Sequence, residues 1–310
     1  MKVSREHFHN LKELPREEYL SPGSSLCAGC GALVTLRLVH KVLGENVVIV
    51  NAAGCMTLMA AYPYTPLRSS WLYTTMSGAS AGAQGIRDAL DILLSQGRIP
   101  ASEDLKVLVL AGDGSTFDMG LSATSAAIYR NLDFWYLCYD NEAYGNTGFQ
   151  SSASSPFGSA TTTSPTGSLQ EKKDIFEIWR AQKPAYLATI SSHEAVDLAE
   201  KVYRASQYKG SKLFLSLAVC PTGWGFDPEL SEKIAQLAIE TGVWPLKEAV
   251  QGTVRHTYIP SRFRLVEEYL KPQRRFRNLF QPERKDAVLA HIQANIDHYW
   301  ETVRRLEKVS

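Results

Sequence analysis

Short apolar runs alternate along the chain with longer segments in which apolar residues recur at helical spacing. Apolar runs rich in β-branched and aromatic residues are typical of parallel strands that are covered on both faces. The apolar runs are residues 47–50, 107–112, 134–139, 186–190 and 213–219. The helical patterns between them are residues 32–43, 79–95, 121–128 and 193–206. This alternation predicts an α/β fold with a doubly wound parallel sheet and right-handed crossovers.

Two long segments carry neither pattern. Residues 51–71 are punctuated by Gly and Pro, which predicts a long functional loop. Residues 151–168 hold eleven Ser or Thr in eighteen positions, and a flexible surface loop is the simpler interpretation of that composition. We favour an ordered loop that supplies hydroxyl donors near a ligand, because the segment follows directly on a strand end that carries candidate ligands.

The pattern divides the chain into two regions. Residues 1–225 are predicted to form one α/β domain with a cysteine-containing loop near its start, and residues 226–310 a C-terminal extension with a helical tail. Within residues 251–310, twelve Lys or Arg outnumber seven Asp or Glu. This stretch interleaves basic and aromatic residues, namely Arg274, Arg275, Phe276, Arg277 and Phe280. Such a stretch is compatible with nucleic-acid binding, but contact with another subunit is the more common use, and we expect that.

Composition narrows the class of protein. The chain has 310 residues, 45% of them hydrophobic, and a formal net charge of +1. It is long enough to bury a large core and too neutral for a protein whose whole surface binds nucleic acid. The polar N-terminus has no apolar signal core and no window reaches transmembrane length, so we expect a soluble cytoplasmic protein with no membrane partner. Five cysteines spread over so long a chain do not indicate a disulfide scaffold.

Candidate metal and phosphate ligands follow two of the predicted strands. Gly112, Asp113 and Gly114 stand where a strand gives way to a helix, and twenty-six residues separate this motif from Asn141, which follows the next strand. In a parallel sheet, ligands bind outside the carboxyl ends of the strands. Asp and Asn oxygens suit Mg²⁺, while glycines and a helix N-terminus suit a phosphate. A structural turn with an incidental Asn is the alternative.

The cysteines form a second candidate site. Cys27 and Cys30 make a C-x-x-C in a glycine-rich loop, Cys55 follows the first strand, and Cys220 follows the last one. Cys138 lies inside an apolar strand, where a buried structural thiol is expected. On spacing alone, zinc is at least as good an interpretation as iron–sulfur. A thioredoxin-like redox pair is a third, weakened because Cys27 does not begin a helix directly after a strand.

The order of these motifs resembles that of one enzyme family. C-x-x-C-G, a lone Cys, GDG, DNEAYGNTG and CPTGW follow one another between about Leu26 and Trp224. The order is similar to that of the thiamine-diphosphate-binding subunit of the 2-oxoacid:ferredoxin oxidoreductases. The resemblance implies that a magnesium ion joins the cofactor diphosphate to Asp113, Asn141 and the carbonyl of Ala143. It also implies a [4Fe–4S] cluster whose ligands are Cys27, Cys30, Cys55 and Cys220.

The resemblance assigns further roles near the cofactor. Gly112, Asp113, Gly114 and Ser115 are expected to cradle its diphosphate. Leu58 is a candidate apolar prop for the bent cofactor, with ordinary core packing as the alternative. Asn146 matches an Asn that points at the reacting centre and steadies developing oxyanion charge, with a turn role as the alternative.

The chemistry that this family implies is oxidative decarboxylation of a 2-oxoacid. Electrons leave singly through the cluster to ferredoxin, and coenzyme A usually takes the acyl group. The glutamate that engages the aminopyrimidine belongs to a pyrimidine-binding domain not found in these 310 residues, so we expect a partner subunit to supply it. We likewise expect any further iron–sulfur clusters on another chain, because the sequence has no second cluster motif.

The substrate is less closely defined by the sequence. Pyruvate-branch members commonly have Met-Asn-Thr-Gly after DNEAY, whereas this chain has Gly145 at the Met position, and Phe117 follows GDGST. Pyruvate is the leading candidate, with oxalate or an aromatic 2-oxoacid such as phenylglyoxylate as alternatives. Two other functions remain open from the residues. One is a non-redox thiamine-diphosphate decarboxylase with structural zinc, and the other is a silent assembly or electron-transfer subunit that docks through its basic tail.

Overall fold

Eight strands form a single sheet in the part of the chain that this computed structural model describes, residues 6–60, 63–100 and 104–307. The strands are β1 Val47–Ala52, β2 Ser70–Thr74, β3 Lys106–Gly112, β4 Trp135–Asp140, β5 Tyr186–Ser191, β6 Lys212–Leu217, β7 Leu246–Val250 and β8 Thr253–Tyr258. Their order across the sheet is β2-β1-β3-β4-β6-β5-β7-β8. The residues that it does not describe are at both chain ends, at 101–103 and at 61–62, within the loop predicted over 51–71.

The sheet is mostly parallel, which confirms the predicted α/β class. Strands β1 to β6 run parallel, while β7 is antiparallel to β5 and β8 is antiparallel to β7. The five predicted strands all run parallel, and the antiparallel pair is at an edge where the sequence pattern predicts no strand. There a two-residue turn at Gln251 and Gly252, both with positive φ, joins β7 and β8 into a hairpin.

Nine described helices cover both faces of the sheet. They are α1 Gly31–Leu43, α2 Ala79–Ser95, α3 Leu121–Tyr129, α4 Ile175–Ala181, α5 Ala195–Ser206, α6 Pro221–Trp224, α7 Ser231–Glu240, α8 Val266–Leu270 and α9 Asp286–Glu307. Alternate residues of each strand point to opposite faces, so that Val109 packs in one core cluster and Leu110 in the other. Helices α1 and α5 cover one face, and α2, α3, α4, α7 and α8 cover the other. This double covering explains why the central strands read as continuous apolar runs.

The C-terminal region packs into the same core as the rest of the chain. Tyr269, Phe276 and Leu279 are buried in one cluster with residues of the central strands. Arg275, next to Phe276, is also buried, whereas Arg274 and Arg277 are exposed. The division at residue 225 and the contact of the tail with another subunit stay predictions. No helix in the described part of the chain is long and apolar enough to cross a membrane.

A substitution at Trp179 tests how α4 packs on the sheet. Its side chain is fully buried and meets the Tyr136 ring edge-on, with 5.3 Å between ring centroids. We expect Trp179→Ala to lower the free energy of unfolding by about 3–5 kcal/mol, because it removes buried area and leaves a cavity. Tyr129→Ala, at a side chain 89% exposed, should change it by less than about 0.5 kcal/mol. Urea denaturation checks both, and equal losses would contradict the placement of α4.

Candidate active site

The carboxyl ends of β3 and β4 bring the candidate metal ligands together. Gly112 is paired with Tyr139 in the sheet, so Asp113 and Asn141 leave adjacent strands at the same edge. The Asn141 side-chain oxygen lies 2.7 Å from the Ala143 carbonyl oxygen and 2.8 Å from Asp113 Oδ1. Three acceptors thus face one another with no hydrogen between them.

Two changes would relieve this crowding of acceptors. Rotating the Asn141 amide would let its nitrogen donate to both neighbours, and a cation between the oxygens would bind all three. In octahedral Mg²⁺ sites the oxygens lie about 2.0–2.1 Å from the ion, which puts neighbouring ligand oxygens about 2.9 Å apart. The spacing and the all-oxygen donor set fit Mg²⁺.

The environment of Asp113 also favours a cation. The side chain is almost fully buried, and burial raises the pKa of its carboxyl group well above the usual value, with the nearby Asp140 carboxylate adding to the rise. Within the described residues no Lys or Arg pairs with it, and its Oδ2 accepts a hydrogen bond from the Ser152 hydroxyl. A buried carboxylate without a counter-charge is costly unless a cation is bound beside it.

The glycines of the GDG motif are in tight surroundings. A Cβ at Gly114 would lie 2.1 Å from the Tyr144 ring, and one at Gly112 would lie 3.1 Å from the Tyr139 ring. The Ser115 hydroxyl donates to the Met76 carbonyl. Close aromatic packing therefore requires glycine at 114, and the predicted diphosphate cradle stays a prediction.

The Ser- and Thr-rich segment 151–168 packs onto this edge of the sheet. Besides the Ser152 contact with Asp113, the Ser154 hydroxyl donates to Asp140 Oδ1 at 2.6 Å. The Ser155 hydroxyl donates to the Glu142 carbonyl oxygen at 2.8 Å. The segment is thus an ordered supplier of hydroxyl groups around the candidate site, as the preferred interpretation of the sequence expects.

Two other candidate residues lie at the surface beside the site. Leu58, in the short helical turn that begins at Cys55, is 44% exposed. Asn146 is exposed in the turn between Tyr144 and Gln150. Neither side chain packs in the core, and their roles toward a cofactor stay predictions.

The cysteines come from three separate segments. Cys27 and Cys30 precede α1, and the Gly31 amide donates to the Val219 carbonyl at 3.0 Å, which ties this loop to the residue before Cys220. Cys220 precedes α6, and its Sγ accepts from an amide of that helix at 3.3 Å. Cys55 begins the short helical turn that follows β1. All four are free thiols, as is Cys138, which is fully buried in β4.

The four candidate cluster cysteines share one neighbourhood. Burial raises the pKa of Cys55 to about 12, with smaller contributions from the charges of Cys220, Cys30 and Cys27. Burial likewise raises the pKa of Cys220 to about 11, again with contributions from Cys30 and Cys27. Thiols in such surroundings ionise readily only when a metal binds them. Among the described residues, no three or more His, Cys, Asp or Glu side chains form a group that could hold a metal ion.

Asn141 connects the two candidate sites. Its amide nitrogen is 3.8 Å from Cys55 Sγ, while its side-chain oxygen faces Asp113. Its carbonyl oxygen accepts from the Trp224 indole at 2.8 Å. A Cβ at Gly145 would lie 2.7 Å from the Asn141 amide nitrogen and 3.3 Å from Cys55 Sγ, so this close approach needs a glycine. The cysteine neighbourhood and the oxygen site are therefore adjacent, with the Asn141 side chain between them.

Comparison with known proteins decides the family. The family described as "Thiamine pyrophosphate enzyme, C-terminal TPP binding domain" matches residues 52–214; thiamine pyrophosphate is another name for thiamine diphosphate. Pyruvate synthase subunit PorB of Methanocaldococcus jannaschii is 42% identical over 293 residues, covering 93% of this chain and 97% of the relative. Ketoisovalerate oxidoreductase subunit VorB of Pyrococcus furiosus is 33% identical, covering 97% and 98%. The chain belongs to the 2-oxoacid:ferredoxin oxidoreductase family.

A solved member of this family has the same fold. A chain of the 2-oxoglutarate:ferredoxin oxidoreductase from Magnetococcus marinus has a TM-score of 0.56 and 20% sequence identity. The match covers 75% of the present chain and 84% of that one. The resemblance inferred from motif order is confirmed, and the chain is a thiamine-diphosphate-binding subunit of an oxidoreductase of this family.

The structure also shows residues at the candidate site that could not be recognised from the sequence. Glu142 lies between Asn141 and Ala143 and is buried. It is paired with Lys172 at 3.3 Å and with Arg275 at 2.7 Å. Arg274, Arg275 and Arg277 next to Phe276 indicate a basic surface, and only the fold shows that Arg275 turns inward.

Proposed function

We propose that this subunit binds thiamine diphosphate and Mg²⁺ at Asp113, Asn141 and Ala143, and a [4Fe–4S] cluster at four cysteines. The four are Cys27, Cys30, Cys55 and Cys220. With its partner subunits it catalyses the oxidative decarboxylation of pyruvate, passes the electrons to ferredoxin and the acyl group to coenzyme A. Pyruvate is favoured because relatives named pyruvate synthase subunit PorB, from Methanocaldococcus jannaschii to Thermotoga maritima, are 42% to 35% identical.

The observation that carries the proposal is the position of Asn141. One end of its amide belongs to the oxygen cluster with Asp113, and the other end lies 3.8 Å from Cys55 Sγ. A site that takes electrons from a substrate one at a time needs an acceptor beside it. The chain provides thiols there, from segments far apart in sequence.

The residues of this chain would have distinct tasks. Thiamine diphosphate, when bound, supplies the electron sink for decarboxylation, and an iron–sulfur cluster supplies a one-electron acceptor. Asp113, Asn141 and the Ala143 carbonyl would neutralise and orient the metal-bound diphosphate. Gly112, Gly114 and Ser115 would hold the phosphates. Asn146 and Leu58, both exposed on this side, would contact the reacting part and the body of the cofactor.

Partner subunits complete the proposal. The aminopyrimidine glutamate, further iron–sulfur clusters and the docking site for ferredoxin are assigned to other chains. The relatives are themselves named as subunits, which supports this division. The exposed surfaces of Asn146 and Leu58 are compatible with an active site closed by a second chain.

Analysis of the anaerobically purified complex tests the proposal. We expect iron and acid-labile sulfide in place of zinc, bound thiamine diphosphate, and coenzyme A-dependent reduction of ferredoxin with pyruvate. A panel of pyruvate, ketoisovalerate, oxalate and phenylglyoxylate identifies the substrate from the rates. Zinc without iron would support the non-redox decarboxylase, and a cluster without thiamine would support the silent electron-transfer subunit. Either outcome would contradict the proposed function.

A further inference from the structure

The turn that carries the candidate metal ligands has an unfavourable backbone conformation. Glu142 has φ of 62°, a left-handed value that residues with a side chain rarely adopt. This conformation turns the Asn141 side chain and the Ala143 carbonyl toward the same point beside Asp113. Such a backbone persists only where the surrounding structure holds it.

A buried ion network holds the Glu142 side chain. Its Oε2 lies 2.7 Å from an Arg275 guanidinium nitrogen, and its Oε1 lies 3.3 Å from Lys172 Nζ. Lys172 also pairs with Asp140 at 2.7 Å. The charges of two carboxylates, Asp140 and Glu142, are balanced by those of Lys172 and Arg275. The network therefore has no cation left to neutralise Asp113. The side chains of Glu142 and Arg275 are 3% and 1% exposed, so water screens this pair very little.

Arg275 also contacts the segment that follows Cys220. Its guanidinium carbon is 3.7 Å from the centroid of the Trp224 ring, and the Trp224 indole donates to the Asn141 carbonyl at 2.8 Å. Its Nε donates to Gln273 at 2.8 Å, which fixes the plane of the guanidinium. One side chain thus contacts both Glu142, within the Asn141–Ala143 turn, and Trp224, whose indole holds the Asn141 carbonyl.

We propose that Arg275 is a positioning residue for the metal site. By pairing with Glu142 and stacking on Trp224, it holds the Asn141 and Ala143 oxygens in the arrangement that binds Mg²⁺ with Asp113. This role goes beyond the proposed function and rests on it. It assigns to the C-terminal region a part in cofactor binding in addition to any contact with other subunits. A guanidinium suits both contacts, because its flat face lies on the Trp224 indole while one of its nitrogens pairs with the Glu142 carboxylate.

Cofactor binding to the complete complex, stripped of thiamine diphosphate and Mg²⁺, tests this role. The readout is the Mg²⁺ concentration that gives half-maximal binding of thiamine diphosphate, measured by titration calorimetry without turnover. We expect Arg275→Met to raise that concentration about 10- to 100-fold, the range typical of removing a group that orients metal ligands. Arg275→Lys should give a smaller rise. The matched control is Arg277→Met at an exposed arginine of the same segment, which should stay within about twofold.

A double substitution separates positioning from general packing. If Arg275 acts through Glu142, Glu142→Gln should raise the half-maximal Mg²⁺ concentration by itself and add little in the Arg275→Met background. Independent, additive effects would overturn the proposal, as would an unchanged Mg²⁺ dependence in folded Arg275→Met. If that variant does not fold, Glu142→Gln and Arg275→Lys decide by the same criterion. A wild-type complex that binds no thiamine diphosphate refutes the proposed function, whereas equal binding by wild type and Arg275→Met refutes only the positioning role.

Discussion

The Asp113→Ala variant is expected to lose bound thiamine diphosphate and all measurable oxidation of 2-oxoacids in the complete complex. Asp113 is the one charged group among the three proposed metal ligands, and its carboxylate is buried without a Lys or Arg partner in the described structure. Removing it takes away the charge that attracts the metal and leaves the Asn141 and Ala143 oxygens. A loss of several kilocalories in stabilisation of the diphosphate corresponds to a fall in rate of about 10³-fold or more.

The same variant should keep its iron, because Asp113 is not among the proposed ligands of the cluster. Asp113→Asn, which keeps an oxygen but loses the charge, should bind thiamine diphosphate only at raised Mg²⁺ concentration. The control is Asp88→Ala at an exposed position of α2, which should retain activity and cofactor. Thiamine and iron contents of the purified complexes are the measurements. Full retention of thiamine diphosphate by Asp113→Ala would contradict the metal assignment.

The sequence predicts the central part of the fold and misses the edges. Strands covered on both faces, such as β3 and β4, read as continuous apolar runs and are found where the pattern places them. Strand β2 has exposed and half-exposed residues, so its sequence does not differ from that of the loop around it. Strand β8 alternates exposed and half-buried residues up to Thr257, which is its one buried residue. Such edge strands are defined by their neighbours in the sheet more than by their own composition.

The candidate site divides in the same way. Asp113 and Asn141 could be predicted because strand ends and oxygen ligands leave a local signature, and the register of β3 and β4 brings them together. Arg275 could not, because a charged residue is usually exposed and nothing local distinguishes it from Arg274 or Arg277. Its burial depends on a carboxylate more than 130 positions earlier in the chain. Partners of this kind become visible only when the chain is folded.

Replacing Cys55 by Ser is expected to remove most of the iron and sulfide from the complex and to abolish ferredoxin reduction. Cys55 lies beside the oxygen site, because its Sγ is 3.8 Å from the Asn141 amide nitrogen. A Ser hydroxyl is a poor ligand for iron in a sulfide cluster, since it ionises far less readily than a thiol and is a harder donor. Without this electron acceptor beside the cofactor, electrons from the substrate cannot be transferred to ferredoxin.

Cys138→Ala provides the matched control, since Cys138 is a free thiol fully buried in β4 and belongs to the core cluster. Its iron, sulfide and thiamine contents should equal those of the wild type, with at most a modest loss of stability from the missing sulfur. Cys55→Ser should still bind thiamine diphosphate, because the oxygens of Asp113, Asn141 and Ala143 are unchanged. Metal analysis and the electron paramagnetic resonance spectrum of the reduced complex measure the difference. An unchanged spectrum in Cys55→Ser would exclude this cysteine as a ligand, and equal iron loss in both variants would indicate a general disturbance of folding.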